Sequence, residues 1–346
     1  MLNFLTTMGF IGAVLALVGC NTDTVLVPRS EQFVGNGLAD ERVAGLPRRD
    51  ALAILNLITD APRLGITLGS NFPAKYIEGA RVTVLVQGKY LTTLEMKEPG
   101  KQRFDVKIPG STAGQSVVQL IEGTQVRESE QGPIGFTSVL QVATPKGFVT
   151  VVPARTKPAE GIVAFTDSRG VGGGYLQTGE YAWPRQLGKL RGAEVYLPGY
   201  CSLQLCAHIA TAAGRDSLTA AIAKRLQAHQ AQIVYVQAGV NDYAYATCSP
   251  AQLTEYYRRW LPQLREALPH ARLFVETDGP KADEKPNALG FTLQQYREAE
   301  AAGAQGFASV VQGSGLWKLS DLADGTHLSQ AGDTQRVPLL NAILNK

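Results

Sequence analysis

Hydrophobic and polar positions change rhythm near residue 155. From residue 51 to 155, apolar residues alternate with polar ones or gather in short β-branched runs. The clearest are Arg81-Val82-Thr83-Val84-Leu85-Val86, Arg103-Phe104-Asp105-Val106-Lys107-Ile108, Ser116-Val117-Val118-Gln119-Leu120-Ile121 and Phe148-Val149-Thr150-Val151-Val152. Pro99-Gly100 and Pro109-Gly110 break the pattern between them. A period near two with frequent turns predicts short strands packed as a small β-sandwich over 51–155. Carbohydrate binding and a plain wall or spacer are both open for this part.

From residue 159 to 346 strands and helices alternate. Gly161–Phe165, Ala193–Leu197, Gln232–Val236, Arg272–Glu276 and Ala308–Val311 are short apolar runs, which predict five buried strands. Helices are predicted over 217–230, 250–268 and 293–302. In the first, Leu218, Ala221, Ile222 and Leu226 recur at helical spacing, opposite Lys224, Arg225 and Gln227. Ser249 followed by Pro250 is an N-cap with proline at the first helical position. The alternation predicts an α/β fold with a parallel sheet covered on both faces. Ligands in such sheets bind beyond the carboxyl ends of the strands.

The N-terminal segment reads differently from both. Residues 20–50 are aperiodic, with a turn signal at Gly35-Asn36-Gly37, and read as a tether. Phe10 to Val18 is apolar but short for a bilayer span. It runs into Leu17-Val18-Gly19-Cys20, which resembles the lipobox of bacterial lipoproteins, although no Lys or Arg precedes the apolar run. The resemblance implies removal of residues 1–19 as a signal peptide and acylation of Cys20. It also implies an exported protein, in the periplasm or at the cell surface, anchored to a membrane by lipid. Export would place Cys201, Cys206 and Cys248 where disulfides persist; one bridge and one spare thiol are expected, with the pairing open.

Composition adds only exclusions. The chain has 346 residues, enough for two cores, and a net charge of +3 without a basic run, which argues against nucleic acid as a partner. The four histidines, His208, His229, His270 and His327, form no ligand pair on one helical face, so neither a metal nor another cofactor is expected. Gly170-Val171-Gly172-Gly173-Gly174 lacks the Lys-Ser/Thr pair of a phosphate loop and reads as a loop.

Three islands carry chemistry. Thr166-Asp167-Ser168-Arg169 and Gly239-Val240-Asn241-Asp242 each end an apolar run, and Asp324-Gly325-Thr326-His327 lies near the C-terminus. They supply a hydroxyl nucleophile, an amide that can hold an oxyanion, and an imidazole with its own carboxylate, the parts needed for acyl transfer from an ester. No Gly-Xaa-Ser-Xaa-Gly elbow is present, which disfavours the α/β-hydrolase arrangement.

The islands resemble the blocks of the SGNH (GDSL-like) hydrolase superfamily over about residues 161–346. The Asp-Ser pair matches Asp167-Ser168, the block II glycine matches Gly199 in Leu197-Pro198-Gly199, and the two remaining blocks match Gly239–Asp242 and Asp324–His327. The resemblance implies a three-layer, flavodoxin-like domain with a five-stranded parallel sheet. It implies Ser168 as nucleophile, His327 as base, Asp324 as its orienting acid, and an oxyanion hole from the N–H groups of Ser168 and Gly199 with the Asn241 amide. Two positions depart from the pattern: Thr166 stands where the family has glycine, and Arg169 where an aliphatic is common. Arg169 is expected to pair with an acid or to meet an anionic substrate.

With the β-rich companion and the export signal, the resemblance implies a cell-envelope serine esterase. Its substrate would be an acylated carbohydrate, a polysaccharide or peptidoglycan that loses small O-acyl groups, O-acetyl first among them. A polysaccharide O-acyltransferase with the same triad and a non-catalytic glycan-binding lipoprotein are the alternatives. Tyr175, Tyr181, Trp183, Tyr243, Tyr245 and Trp317 flank the islands and are candidates for sugar stacking, with one or two expected to line the site.

Overall fold

Two antiparallel sheets face each other in the N-terminal half of the computed structural model, which describes residues 24–35, 42–43, 45–74, 80–110, 114–123, 125–127, 134–152, 160–171, 181–227 and 229–346. One sheet has the order Thr24–Leu26, Thr137–Thr144, Arg63–Ser70, Gly100–Lys107. The other runs Val149–Val151, Ile54–Thr59, Ser116–Glu122, Arg81–Val86, Lys89–Glu95, with Phe33–Val34 also paired to Ile54–Thr59. Alternation decides which side chains turn inward: Leu64, Ile66 and Leu68 from one sheet meet Leu55, Leu57, Val82, Val84, Val118 and Leu120 from the other. Each such side chain, fully buried, contributes about 1.5–3 kcal/mol. The arrangement is a β-sandwich.

The sandwich begins earlier than the hydrophobic pattern predicts. Residues 20–50 read as a tether, yet Thr24–Leu26 pairs with Thr144–Val142 and Phe33–Val34 with Leu55–Ile54. Strands of two or three residues are too short to show a period of two, so only their partners reveal them. Residues 1–23, and with them Cys20 and the apolar run, lie outside the described residues. No helix among the described residues is long and apolar enough to cross a membrane.

Five parallel strands form the second half, in the order Glu194–Tyr196, Glu160–Thr166, Ala231–Gln237, Arg272–Thr277, Ser309–Gln312. In chain order this is 2-1-3-4-5, the flavodoxin-like sequence of strands. Seven helices are present among the described residues: α1 Trp183–Arg191, α2 Leu205–Ile209, α3 Ala212–Leu226, α4 Val240–Ala244, α5 Pro250–Ala267, α6 Leu293–Ala304 and α7 Gln330–Leu344. Helices α3, α5 and α6 pack on one apolar cluster with Val163, Val234 and Val275; α1 and α7 pack on another with Ile162, Ile233 and Phe274. The sheet is therefore the middle of three layers. Capping boxes at Ser249/Gln252 and Thr292/Gln295 start α5 and α6, each cap being worth about 1 kcal/mol. Helix α3 starts five residues before the predicted Ser217, because Thr211 caps it and its first turn carries no apolar stripe.

The two halves share structure at the strand ends. Ala51 and Leu52 join the apolar cluster under α1 and α7. The Ala51 N–H donates to the Leu197 carbonyl at 3.2 Å, and the Cys201 N–H to the Gln125 carbonyl at 2.8 Å. Arg225 on α3 makes a buried two-bonded pair with Asp50, at 2.6 and 2.9 Å. The disulfide joins Cys206 and Cys248, with Cα atoms 6.3 Å apart, leaving Cys201 outside the bridge.

Candidate active site

Thr166 is the last residue of its strand, and the chain turns sharply after it. Asp167 organises the turn: its carbonyl accepts from the N–H groups of Gly170 and Val171, and its Oδ1 accepts from the N–H of Arg169 at 2.9 Å. This presents Ser168 at the carboxyl edge of the sheet, partly accessible between buried neighbours. The threonine at the family's glycine position has a local partner. Its hydroxyl donates to Gln237 Oε1 at 2.9 Å, tying the nucleophile strand to the strand beside it. Trp183 Nε1 donates to the same oxygen at 3.3 Å.

The third island folds over this turn. Asp324 Oδ1 accepts the N–H of Thr326 at 3.0 Å and of His327 at 2.7 Å, closing a tight loop. Asp324 Oδ2 lies 2.9 Å from His327 Nδ1, and His327 Nε2 lies 2.8 Å from Ser168 Oγ. Two residues 159 positions apart thus share a hydrogen bond. Partial burial pushes the Asp324 carboxyl up, but the N–H and ring of His327 and the N–H of Thr326 outweigh it and hold it down at about 2. The acid is therefore a fixed negative charge beside the imidazole. The Asp324 and His327 side chains are 25% and 22% exposed, so water reaches the imidazole.

Gly199 comes close to the residue before Ser168 by backbone alone. A Cβ placed on it would lie 1.7 Å from the Thr166 carbonyl oxygen, a separation no side chain permits. Among the described residues, the N–H groups of Ser168 and Gly199 donate to no backbone acceptor. Asn241 is the second residue of α4, four positions after the Ala231–Gln237 strand ends. Its Nδ2 donates to the Leu203 carbonyl at 3.1 Å and makes only a loose 3.5 Å contact with Asp167 Oδ2. The second amide hydrogen is thus available to an oxyanion at small cost.

Residue type alone did not disclose several supporting roles. Asp242 is buried and accepts the N–H groups of Leu205 and Cys206, at 2.8 and 3.0 Å, which fixes the loop after Gly199 against the Asn241 turn. Among the described residues, Cys206, Asp242 and Cys248 are the one cluster with metal-like spacing, but the sulfurs are bonded to each other and the carboxylate is engaged. Of the two expectations for Arg169, the acid partner is the one the structure shows. Its guanidinium is buried, 3.3 Å from Asp278 Oδ1, with Nε donating to the Thr326 carbonyl at 3.2 Å. The residue after Ser168 therefore holds the His327 loop and faces no solvent. The aromatics sort by burial. Trp183 and Trp317 are buried, with their rings 4.3 and 4.6 Å from the Arg336 guanidinium. Tyr243 is buried with its hydroxyl donating to the Lys285 carbonyl, and Tyr181 packs on the apolar cluster under α1. Tyr175 lies outside the described residues. Tyr245, the C-cap of α4 one turn after Asn241, is 57% exposed.

Residues 165–334 match the model of the GDSL-like Lipase/Acylhydrolase family. The α/β half belongs to that family. Known structures extend the likeness to the whole chain. A salicylyl-acyltransferase from a tetracycline biosynthetic pathway superposes with a TM-score of 0.67 at 15% identity, over 93% of this chain and 98% of its own. A family two carbohydrate esterase from Cellvibrio japonicus gives 0.61 at 15% identity, over 94% and 99%. Another, from Clostridium thermocellum in complex with cellohexaose, gives 0.57 at 12% identity, over 93% and 98%. At these identities the likeness is one of fold, β-rich half included. A comparison with curated proteins returned no sequence match.

Proposed function

We propose that this GDSL-like hydrolase is an exported serine esterase that removes small acyl groups, O-acetyl foremost, from a polysaccharide or peptidoglycan. One observation carries the reading: His327 bridges Ser168 and Asp324 through its two ring nitrogens at 2.8 and 2.9 Å. Ser168 Oγ attacks the acyl carbonyl as His327 Nε2 takes its proton, and Asp324 stabilises the imidazolium. The carbonyl oxygen gathers negative charge against the N–H groups of Ser168 and Gly199 and the Asn241 amide. Collapse of the intermediate expels the sugar oxygen, which leaves with the proton from His327. Water, deprotonated by His327, then releases the acid from Ser168.

A carbohydrate substrate is supported by the carbohydrate esterases among the structural relatives, and by Tyr245, an exposed ring one helical turn from the oxyanion donor. The accessible base favours water as the acceptor. The likeness to an acyltransferase keeps a second acceptor, a sugar hydroxyl, in view. Lipid attachment at Cys20, with anchoring in the periplasm or at the cell surface, completes the proposal and rests on the lipobox-like Leu17–Cys20.

The test is turnover of 4-nitrophenyl acetate and release of acetate from an acetylated polysaccharide by wild type and Ser168→Ala. Loss in the variant supports the reading; equal rates refute it. Mass spectrometry of a glycan incubated with an acyl donor separates transfer, seen as acyl gain, from hydrolysis. Fractionation of Cys20→Ser cells tests the anchor: a protein that stays in the membrane fraction contradicts it.

A further inference from the structure

Behind the site, two buried carboxyl groups each have an oxygen left over. Asp278 follows the Arg272–Thr277 strand, and Glu300 lies on α6; both are fully enclosed. Asp278 Oδ1 faces Arg169 at 3.3 Å, and Glu300 Oε2 accepts the Asp278 N–H at 2.8 Å. Among the described residues, nothing hydrogen-bonds to Asp278 Oδ2 or Glu300 Oε1. A Cβ built on Gly239 would lie 1.9 Å from Glu300 Oε1 and 3.1 Å from Asp278 Oδ2. Both orphaned oxygens therefore lie beside Gly239, the glycine before the Asn241 turn.

Two ionised carboxylates buried side by side repel strongly. A single proton removes the conflict. Carried on Glu300 Oε1 and donated to Asp278 Oδ2, it satisfies both orphans and leaves Asp278 negative opposite Arg169. The surroundings agree. Burial raises Asp278 to about 7, with Asp167 and Glu276 raising it and Arg169 and Arg297 lowering it. Burial raises Glu300 well above the usual carboxylate range, with Asp278 and Asp242 adding to the rise and the Asp278 N–H and Arg169 opposing it. The Tyr257 hydroxyl, facing Glu300, Asp242 and Asp278, is itself held protonated by burial and these acids.

We propose that Asp278 and Glu300 share one proton, held on Glu300, and that this pair positions the catalytic groups. Through Arg169 it locks the nucleophile turn and the Thr326–His327 loop, and through Gly239 it backs the oxyanion turn. Neither carboxyl touches substrate; both are positioning residues. The proposal deepens the esterase reading and rests on it for its kinetic arm.

The test compares Glu300→Ala and Glu300→Gln, since glutamine keeps a donor where the shared proton sits. Glu300→Ala is expected to lower kcat about 10²-fold with KM nearly unchanged, as a misplaced constellation does. Glu300→Gln should recover most of that loss. A second readout needs no activity. Because Glu300 titrates higher folded than unfolded, the native protein keeps a proton that the unfolded chain has released, so stability falls as pH rises between the two values. Glu300→Gln has no such proton, and its Tm should decline less than that of wild type as pH rises above the ordinary carboxylate value. Parallel Tm–pH curves overturn the shared proton, and equal kcat losses in the two variants overturn the positioning role. An inactive wild type with diverging Tm curves refutes the esterase reading and, with it, the kinetic arm, while upholding the proton.

Discussion

Replacing Gly199 by alanine tests the geometry of the site most directly. The added methyl would sit 1.7 Å from the Thr166 carbonyl oxygen, 2.8 Å from its carbonyl carbon and 3.0 Å from its nitrogen. A carbon and a carbonyl oxygen approach no closer than ~3.3 Å, so the backbones must part by roughly 1.5 Å. Neither side yields cheaply. Thr166 is hydrogen-bonded to Gln237 and pairs within the parallel sheet, and the Gly199 loop is held by the Leu197 and Cys201 bonds to the β-rich half. Overpacking of this kind costs about 1–3 kcal/mol, or a fall in Tm of about 1–4 °C for a protein of this size. The larger effect is on chemistry: a displacement near 1 Å costs about 10²-fold in rate, and the Gly199 N–H would leave the oxyanion. Gly315→Ala is the control, since nothing lies within 4 Å of its added methyl; it should change stability by less than about 0.5 kcal/mol. Ester turnover and thermal melts of both variants provide the measurements. A Gly199→Ala protein with wild-type kcat would show that this loop does not contribute to the oxyanion hole.

Further outcomes follow from the same contacts. Asn241→Ala should lower kcat by ~10²–10³ with little change in KM, and a change confined to KM would contradict its role as an oxyanion donor. Asp324, held at about 2 in the folded protein, contributes stability that is present above its ordinary value and lost as pH falls toward about 2. The kcat profile should therefore show no Asp324 titration above about pH 4; an inflection there that Asp324→Asn removes would refute the assignment. Reducing Cys206–Cys248, which closes a loop with a sequence separation of 42, should cost about 4 kcal/mol, and an unchanged melting point under reductant would show the bridge to be idle. Arg336→Met leaves the buried Glu276 carboxylate without its cation and should cost about 3–5 kcal/mol. Adding Glu276→Gln should restore part of it, as calorimetry of the single and double variants would reveal.

The parallel sheet was legible because each of its strands is a short apolar run, and α5 and α6 because their caps and periodicity agree. Helix α7 was not legible. Its buried positions Gly332, Asp333, Arg336, Val337, Leu340 and Leu344 follow helical spacing, but two of the six are charged, so a hydrophobic reading scores them as surface. Helices α2 and α4 have five residues each, too few to display a period of 3.6. At the candidate site, Ser168, Asp324, His327 and Asn241 could be nominated because acyl transfer demands those residue types, and the fold brings the first three within hydrogen-bonding reach. Asp278 and Glu300 were hidden: a charge after a strand or on a helix usually faces water, and only the fold shows Arg169 and Gly239 against them. The same limit applies to the aromatics, where identity nominated six and burial left Tyr245 as the exposed one among those described.

The loop that bears Gly199 is pinned at both shoulders by main-chain bonds from Ala51 and Gln125, residues of the sandwich half. A module joined in this way is not a detachable cassette. Exchanging it for an unrelated unit would remove the buttresses from the loop beside Ser168, so the two halves have to be remodelled together.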